Sequence, residues 1–170
     1  MKTTARTATA LIAALIPAMW LGAAQAAEST INVSLWDKGA TSMDMMGKMP
    51  AMGMMMTPGV DMGMVTMGIT LDAATVPAGN VTFNATNASK DMLHEMLVAP
   101  ITDPAEALPY DKETLRVDEE ASGDLGEVSE LEPGKTGSLT LELKPGSYIL
   151  FCNIPGHYEL GMWTLLTVTE

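Results

Sequence analysis

Short segments with a period of two, separated by glycine and proline turns, constrain the fold of this chain most strongly. Alternation of apolar and polar residues is the pattern of a β-strand with one buried face. Segments with this pattern, or with a short apolar run of strand length, are residues 30–36, 64–71, 81–87, 92–98, 136–143, 147–151 and 163–169. Nothing in the sequence indicates βαβ units. The chain is therefore predicted to be all-β, a Greek-key β-sandwich.

A methionine-rich segment interrupts this pattern. Eleven of the sixteen methionines lie between Met43 and Met67, among glycines and prolines that disfavour a regular strand or helix. Residues 43–61 are predicted to be a low-complexity loop inserted between strands. Two interpretations stay open: clustered thioethers that bind Cu(I), or an adaptable apolar surface that docks a partner or covers a site.

A second unusual segment is acidic. Residues 103–132 contain eleven carboxylates against Lys112 and Arg116, and no apolar stripe of helical period persists along them. They are predicted to be a long loop or flap on the surface of the sandwich, with a short helix in part of it as the alternative. The segment is either a solvated face or an acidic patch that steers a basic partner, an effect that salt would weaken.

The N-terminal residues have the features of a secretory signal peptide. Lys2 and Arg6 precede an apolar run over residues 8–22, and Ala24-Gln25-Ala26 is a small-x-small cleavage site. The apolar run is shorter than the ~20 residues that span a bilayer. We predict cleavage after residue 26, with residues 27–170 forming a single exported domain, periplasmic or secreted, with no stable membrane insertion.

The charge of the chain excludes some partners. The whole chain has a net charge of −12, and removing two basic residues with the signal peptide gives −12 − 2 = −14. A chain this acidic repels nucleic acid and anionic membranes. We expect a monomer whose partner is a protein rather than a nucleic acid.

The residues that carry chemistry lie near the C-terminus. Cys152, His157 and Met162 form a Cys-x4-His-x4-Met arrangement on one predicted loop, and the second histidine, His94, lies far upstream. A lone thiol in an oxidising compartment is a liability unless something occupies it. Each of these residues alone is an ordinary core residue, but two imidazoles, a thiolate and a thioether together match the ligand set of blue copper.

At these positions the chain resembles the cupredoxins, the small blue copper proteins. Residues 76–83 resemble the strand that precedes the first ligand, His94 lies where the family has its first histidine, and residues 146–162 resemble the ligand loop. The similarity covers residues 76–170 and the first strand. Glu95 departs from the family, in which asparagine often follows the first histidine.

The resemblance implies one type 1 copper bound by His94, Cys152, His157 and Met162, and single-electron transfer between redox partners rather than catalysis. It also implies that His157 lies near the surface as the electron port. The alternative function is a copper chaperone or copper-resistance protein that binds Cu(I) through the methionine-rich segment. A multicopper enzyme would need further histidines, and this chain has only two.

Overall fold

The structure is a computed structural model that describes residues 27–47 and 65–170. The predicted signal peptide and most of the predicted methionine-rich loop lie outside the described residues. The elements in chain order are β1 (Ala27–Asp37), a 3-10 helix (Ser42–Met45), β2 (Met67–Leu71), β3 (Thr75–Pro77), β4 (Gly79–Asn87), β5 (His94–Ile101), β6 (Tyr110–Asp111), β7 (Arg116–Val117), α1 (Glu119–Ser122), β8 (Glu127–Leu131), β9 (Thr136–Leu143), β10 (Gly146–Phe151) and β11 (Trp163–Thr169). Of the helices in these two ranges, none is long and apolar enough to cross a membrane.

The strands form a β-sandwich, which confirms the predicted fold class. One sheet has the order β2-β1-β4-β9 and the other β3-β11-β10-β5-β8. Both are mixed, because β1 runs parallel to β4 and β11 runs parallel to β3. β6 and β7 form a separate two-stranded hairpin. The alternating strands predicted over residues 136–143 and 163–169 match β9 and β11 residue for residue.

The five-stranded sheet is buried on both faces at its centre. Along β10, Tyr148 and Leu150 face the core between the two sheets, whereas Ile149 and Phe151 face a second, smaller cluster on the outside. Leu108 and Val117 of the acidic segment belong to that outer cluster. A strand covered on both sides has a continuous apolar run instead of alternation.

The acidic segment is more ordered than predicted. Residues 103–132 were expected to be a loop with at most a short helix, which α1 matches, but they also contain the hairpin of β6 and β7 and strand β8, which pairs with β5. Alternation is weak here because few side chains of the segment face the main core. The segment is a cover on the outer face of the sheet, with its carboxylates directed mostly to solvent.

Two prolines lie in strands, although proline often ends one. Pro100 remains within β5 and pairs with Tyr148 of β10. This is possible because the other neighbour, β8, pairs only with residues 94–97, so no strand needs the missing N–H. Pro77 ends β3, which is the edge strand of its sheet. Both positions suit proline because no ladder bond is lost.

Candidate metal centre

The predicted ligands meet at one end of the sandwich. His94 is the first residue of β5, and it lies on the same side of that strand as Met96 and Val98, which face the inter-sheet core. Cys152 follows the last residue of β10, and Met162 precedes the first residue of β11. The loop 152–162 therefore connects two antiparallel neighbours and carries three of the four predicted ligands.

Three donor atoms converge there. The His157 Nδ1 atom lies 3.3 Å from Cys152 Sγ and 3.3 Å from His94 Nδ1. The three side chains are buried and form the one group of this kind among the described His, Cys, Asp and Glu residues, with ligand atoms within 4.8 Å of one another. The residues that the sequence analysis selected are thus close in space although 58 residues separate His94 from Cys152 (152 − 94).

Two of the three donor separations are close to those of ligands on a single metal ion. Metal–nitrogen bonds are about 2.0–2.1 Å and metal–sulfur bonds about 2.3 Å, so ligands of one tetrahedral or trigonal ion lie about 3.3–3.7 Å apart. The separations of 3.3 Å between His157 Nδ1 and the two other donors fall in this range. A thiolate with two imidazoles and a weak axial thioether is the set that holds blue copper.

Backbone amides hold the cysteine sulfur. The Glu95 N–H donates to Cys152 Sγ at 3.5 Å, and the Ile154 N–H also reaches the sulfur. Burial nevertheless raises the pKa of the Cys152 thiol to about 12 in the metal-free protein. The thiolate is the form that ligates metals, so the charge of a bound cation must offset this burial.

Both imidazoles are neutral in these surroundings. Burial lowers the pKa of His94, although the hydrogen bond and charge of Asp37 oppose this effect. Burial, together with the neighbouring His94, lowers the pKa of His157 to about 3. Neutral imidazole is the ligating form, so neither histidine needs to lose a proton at neutral pH to bind a metal.

Met162 is held beside the cluster by backbone bonds. The Cys152 N–H donates to the Met162 carbonyl oxygen at 3.0 Å, and the Met162 N–H donates to the His157 carbonyl oxygen at 3.0 Å. The Met162 side chain is fully buried in the same core cluster as Cys152. Its role as the axial ligand remains a prediction.

The hairpin of β6 and β7 holds the outer side of the loop 152–162. The Gly156 N–H donates to the Leu115 carbonyl oxygen at 2.8 Å, and Arg116 Nη1 donates to the Asn153 carbonyl oxygen at 2.8 Å. The Asn153 side chain accepts from the Val117 N–H at 2.6 Å and donates back to the Val117 carbonyl oxygen at 3.0 Å. The acidic segment therefore fixes the residue that directly follows Cys152, a role that its composition did not indicate.

Glu95 is a buried acid beside the site. It lies on the outer side of β5, with Arg116 Nη1 4.0 Å from its Oε1 atom, and this oxygen accepts no hydrogen bond. Burial raises the pKa of Glu95 to about 7, and the charge of Arg116 opposes that shift. Glu95 therefore places a carboxyl group where the cupredoxins often have asparagine. The charge of Arg116 offsets only part of the free-energy cost of burying it.

The methionine-rich segment begins against the ligand loop. The Met46 sulfur lies so close to Gly156 that a β-carbon at this position would overlap it, and the Met43 methyl carbon lies 3.3 Å from the same position. His157 is only 2% exposed. The His157 side chain is therefore covered, and the half-buried Met43 and Met46 lie against the residue that precedes it. Its role as the electron port stays a prediction.

Sequence analysis missed Asp37, the last residue of β1. Its Oδ2 atom lies 2.8 Å from His94 Nε2, and both side chains are almost fully buried. No motif marks this residue, because the contact depends on how the end of β1 meets the start of β5 across the sandwich. A metal-ligating histidine typically donates its second ring N–H to a carboxylate, a carbonyl oxygen or water. An acceptor beside His94 was therefore to be expected, but the sequence does not indicate which residue provides it.

Similarity to the solved structure of rusticyanin supports the fold. Rusticyanin from Thiobacillus ferrooxidans is 15% identical with a TM-score of 0.52, over 84% of this chain and 79% of the rusticyanin chain. Auracyanin from Roseiflexus castenholzii is 16% identical with a TM-score of 0.48, over 85% of this chain and 99% of the auracyanin chain. The sandwich with its buried His-Cys-His cluster defines a cupredoxin, as the resemblance of the sequence implied.

The family can be stated more narrowly. Residues 75–170, more than half of the chain, match the family model of the sulfocyanin (SoxE) domain. The chain belongs to this family. No curated protein matches it. Cupredoxins bind type 1 copper, and the donor set found here fits that ion, so the predicted copper cofactor is confirmed.

Proposed function

We propose that this protein binds one type 1 copper through His94, Cys152, His157 and Met162 and carries single electrons between redox proteins. The observation that carries the proposal is the convergence of two imidazole nitrogens and one cysteine sulfur in a buried site, with 3.3 Å between His157 Nδ1 and each of the other two. When bound, copper supplies a one-electron couple in a donor geometry between those that Cu(I) and Cu(II) prefer.

The protein contributes rigidity and exclusion of water. Backbone bonds within the loop 152–162 and from the hairpin of β6 and β7 hold the donors in place. A preformed donor set reduces the rearrangement that accompanies gain or loss of an electron. The near-complete burial of His94, Cys152, His157 and Met162 keeps water from the donor atoms, and an apolar surrounding would tune the potential of a bound copper.

The experiment for this function is voltammetry of the copper-loaded protein. We expect a reversible one-electron wave that is lost in Cys152→Ser, because serine has nearly the same size but provides no thiolate. Circular dichroism should show that the variant keeps the sandwich. A folded variant with an unchanged wave would exclude Cys152 as the ligand and the proposed carrier with it.

We also propose that the protein works outside the cytoplasm as the single domain 27–170. The support is the basic, apolar and small-residue pattern of the first 26 residues. Mass spectrometry of the protein recovered from its native cells should give a chain that begins at Ala27. A recovered chain that retains residues 1–26 would contradict this proposal.

A redox partner with a basic surface is the partner that the charge favours. The net charge of −12 and the eleven carboxylates of residues 103–132 support this proposal, because opposite charge accelerates encounter. A monomer with one buried centre needs such an encounter for each electron.

One observation favours a second function, copper delivery. Met43 and Met46 lie against Gly156, next to the buried His157, and thioethers prefer Cu(I). A chaperone would hold Cu(I) at these sulfurs for transfer to another protein. The number of Cu(I) ions bound per chain discriminates the two functions: one favours the electron carrier, and more than one favours copper delivery.

A further inference from the structure

Asp37 is a buried carboxylate in direct contact with a predicted ligand. Its Oδ2 atom lies 2.8 Å from His94 Nε2, the nitrogen that faces away from Cys152 and His157. The side chains of His94 and Asp37 are 0% and 1% exposed. A buried charge is costly unless it is paired and hydrogen-bonded, so the rest of its surroundings matter.

The carboxylate is anchored on both oxygens. The Gly39 N–H donates to Oδ1 at 2.6 Å, and His94 Nε2 lies 2.8 Å from Oδ2. A buried carboxylate with a partner on each oxygen has the pairing that a buried negative charge requires, so Asp37 acts as an acceptor.

The anchor joins two parts of the chain. His94 begins β5, whereas Asp37 ends β1 and pairs with Met67 of β2. The backbone next to Asp37 is held by a hydrogen bond in which the Lys38 N–H donates to the Thr66 carbonyl oxygen at 2.8 Å. Asp37 thus lies where the methionine-rich segment leaves the sandwich, and its side chain cannot turn away without breaking several bonds.

A hydrogen-bond acceptor at Nε2 decides which ring nitrogen of His94 has the lone pair that can bind a metal. Because a carboxylate accepts but does not donate, Nε2 must carry the proton in this contact. A neutral imidazole then has its lone pair on Nδ1, the atom that lies 3.3 Å from His157 Nδ1. A carboxylate behind a ligating histidine both fixes the tautomer and makes the ring a stronger donor.

We propose that Asp37 is a positioning residue that fixes His94 as the Nε2–H tautomer and lowers the reduction potential of the copper site through its fixed negative charge. The charge stabilises Cu(II) more than Cu(I), because the attraction grows with the charge of the ion. This inference rests on the proposed copper site, but its first test needs no metal.

The tautomer is measured in the metal-free protein. The chain has only two histidines, so long-range 1H–15N NMR correlations of a 15N-labelled sample report each ring separately. We expect His94 to carry its proton on Nε2 in the unaltered protein and to lose this preference in Asp37→Ala. A proton on Nδ1 of His94 in the unaltered protein would overturn the proposal, whether or not the variant folds.

The charge is tested with Asp37→Asn, which keeps an acceptor oxygen of the same size. We expect the affinity for Cu(I) relative to Cu(II) to rise about tenfold, equivalent to a potential about 59 mV higher for a one-electron couple. Asp72→Asn is the matched control. Asp72 also accepts hydrogen bonds from a residue of β1, Asn32, but it is exposed. Asn32 lies about 17 Å along β1 from Asp37.

The outcomes separate the two proposals. Equal potentials in Asp37→Asn and Asp72→Asn would show that the charge of Asp37 does not act on the site, and would overturn its role. If the unaltered protein binds no copper, the proposed function fails, and the NMR result still decides whether Asp37 orients His94. If Asp37→Asn does not fold, the tautomer in the unaltered protein decides the proposal alone.

Discussion

At the scale of single residues, the site depends on which side of a strand each side chain faces. His94 and Cys152 face the inter-sheet core, and Glu95 faces the outer cover. Shifting either strand by one residue would exchange these sides and remove a donor from the cluster. The positions of the ligands are therefore fixed by the register of β5 and β10, in which Phe151 pairs with Leu97.

Met162 provides the prediction that belongs to this scale. Met162→Leu should keep copper bound but raise the reduction potential, because loss of an axial donor destabilises Cu(II). The two side chains have similar volumes, so the cost in stability should stay below about 1.5 kcal/mol. We expect a rise in potential of at least about 59 mV by voltammetry, which is a tenfold change in the equilibrium.

Met96→Leu is the control for this change, since Met96 is equally buried in the same core cluster and is not a predicted ligand. Its potential should stay close to that of the unaltered protein. If both variants have the same potential, Met162 is a core residue and not the axial ligand.

At the scale of elements, the hairpin of β6 and β7 is the unexpected part of the site. Its contacts with Asn153 and Gly156 link the acidic segment to the ligand loop. Leu115, between the two strands, has φ of 59°, a left-handed conformation that non-glycine residues rarely adopt. Its carbonyl oxygen accepts the hydrogen bond from the Gly156 N–H, so the unusual conformation lies at a functional contact.

Asn153→Ala tests this link. It removes the acceptor of the Val117 N–H and leaves that buried donor without its partner, which costs about 1–3 kcal/mol. We expect the free energy of unfolding to fall by about 2–3 kcal/mol in denaturant titrations, since the bonds to the Val117 carbonyl oxygen and to Glu119 are lost as well.

Asn32→Ala is a suitable control because Asn32 donates a side-chain hydrogen bond of 2.7 Å to Asp72 at an exposed position. Water replaces that bond, so its loss should cost less than about 1 kcal/mol. Equal losses in the two variants would contradict the assignment of Asn153 as the residue that joins the hairpin to the loop.

The elements also show what could be predicted from the sequence. Strands with one solvated face, such as β9, were predicted with the correct bounds because the alternation reports burial directly. β8 was missed because its place at the sheet edge is set by pairing with β5, which is distant in sequence. Pro100 suggested the end of a strand, but only the full sheet shows that its N–H is not needed.

The same limit applies to the site. His94, Cys152 and His157 were selected from rare residue types and loop spacing, and the structure brings them together. Asp37 and Asn153 are common residue types without a spacing rule, and their contacts arise only when the two sheets and the outer cover are packed. The burial of His157 was also unpredictable, since it depends on contacts between segments that are distant in sequence.

At the scale of the whole molecule, the net charge acts on a partner protein before the two surfaces touch. A net charge of −12 attracts a basic protein over distances of about a Debye length, which is about 10 Å at 0.1 M salt. Electron transfer to a basic c-type cytochrome should therefore slow as salt rises from about 0.01 to 0.15 M, by about tenfold or more in stopped-flow measurements. An acidic cytochrome is the matched control and should show the opposite trend. A rate with the basic cytochrome that does not depend on salt would contradict electrostatic steering.

The visible absorption spectrum of the protein during titration with Cu(II) tests the central claim most directly. The copper site proposed at His94, Cys152 and His157 predicts an intense thiolate-to-copper band that saturates at one equivalent and is bleached reversibly by a mild reductant. A protein that gives no such band with Cu(II), but binds more than one equivalent of Cu(I), would contradict the electron carrier and favour copper delivery through the methionines.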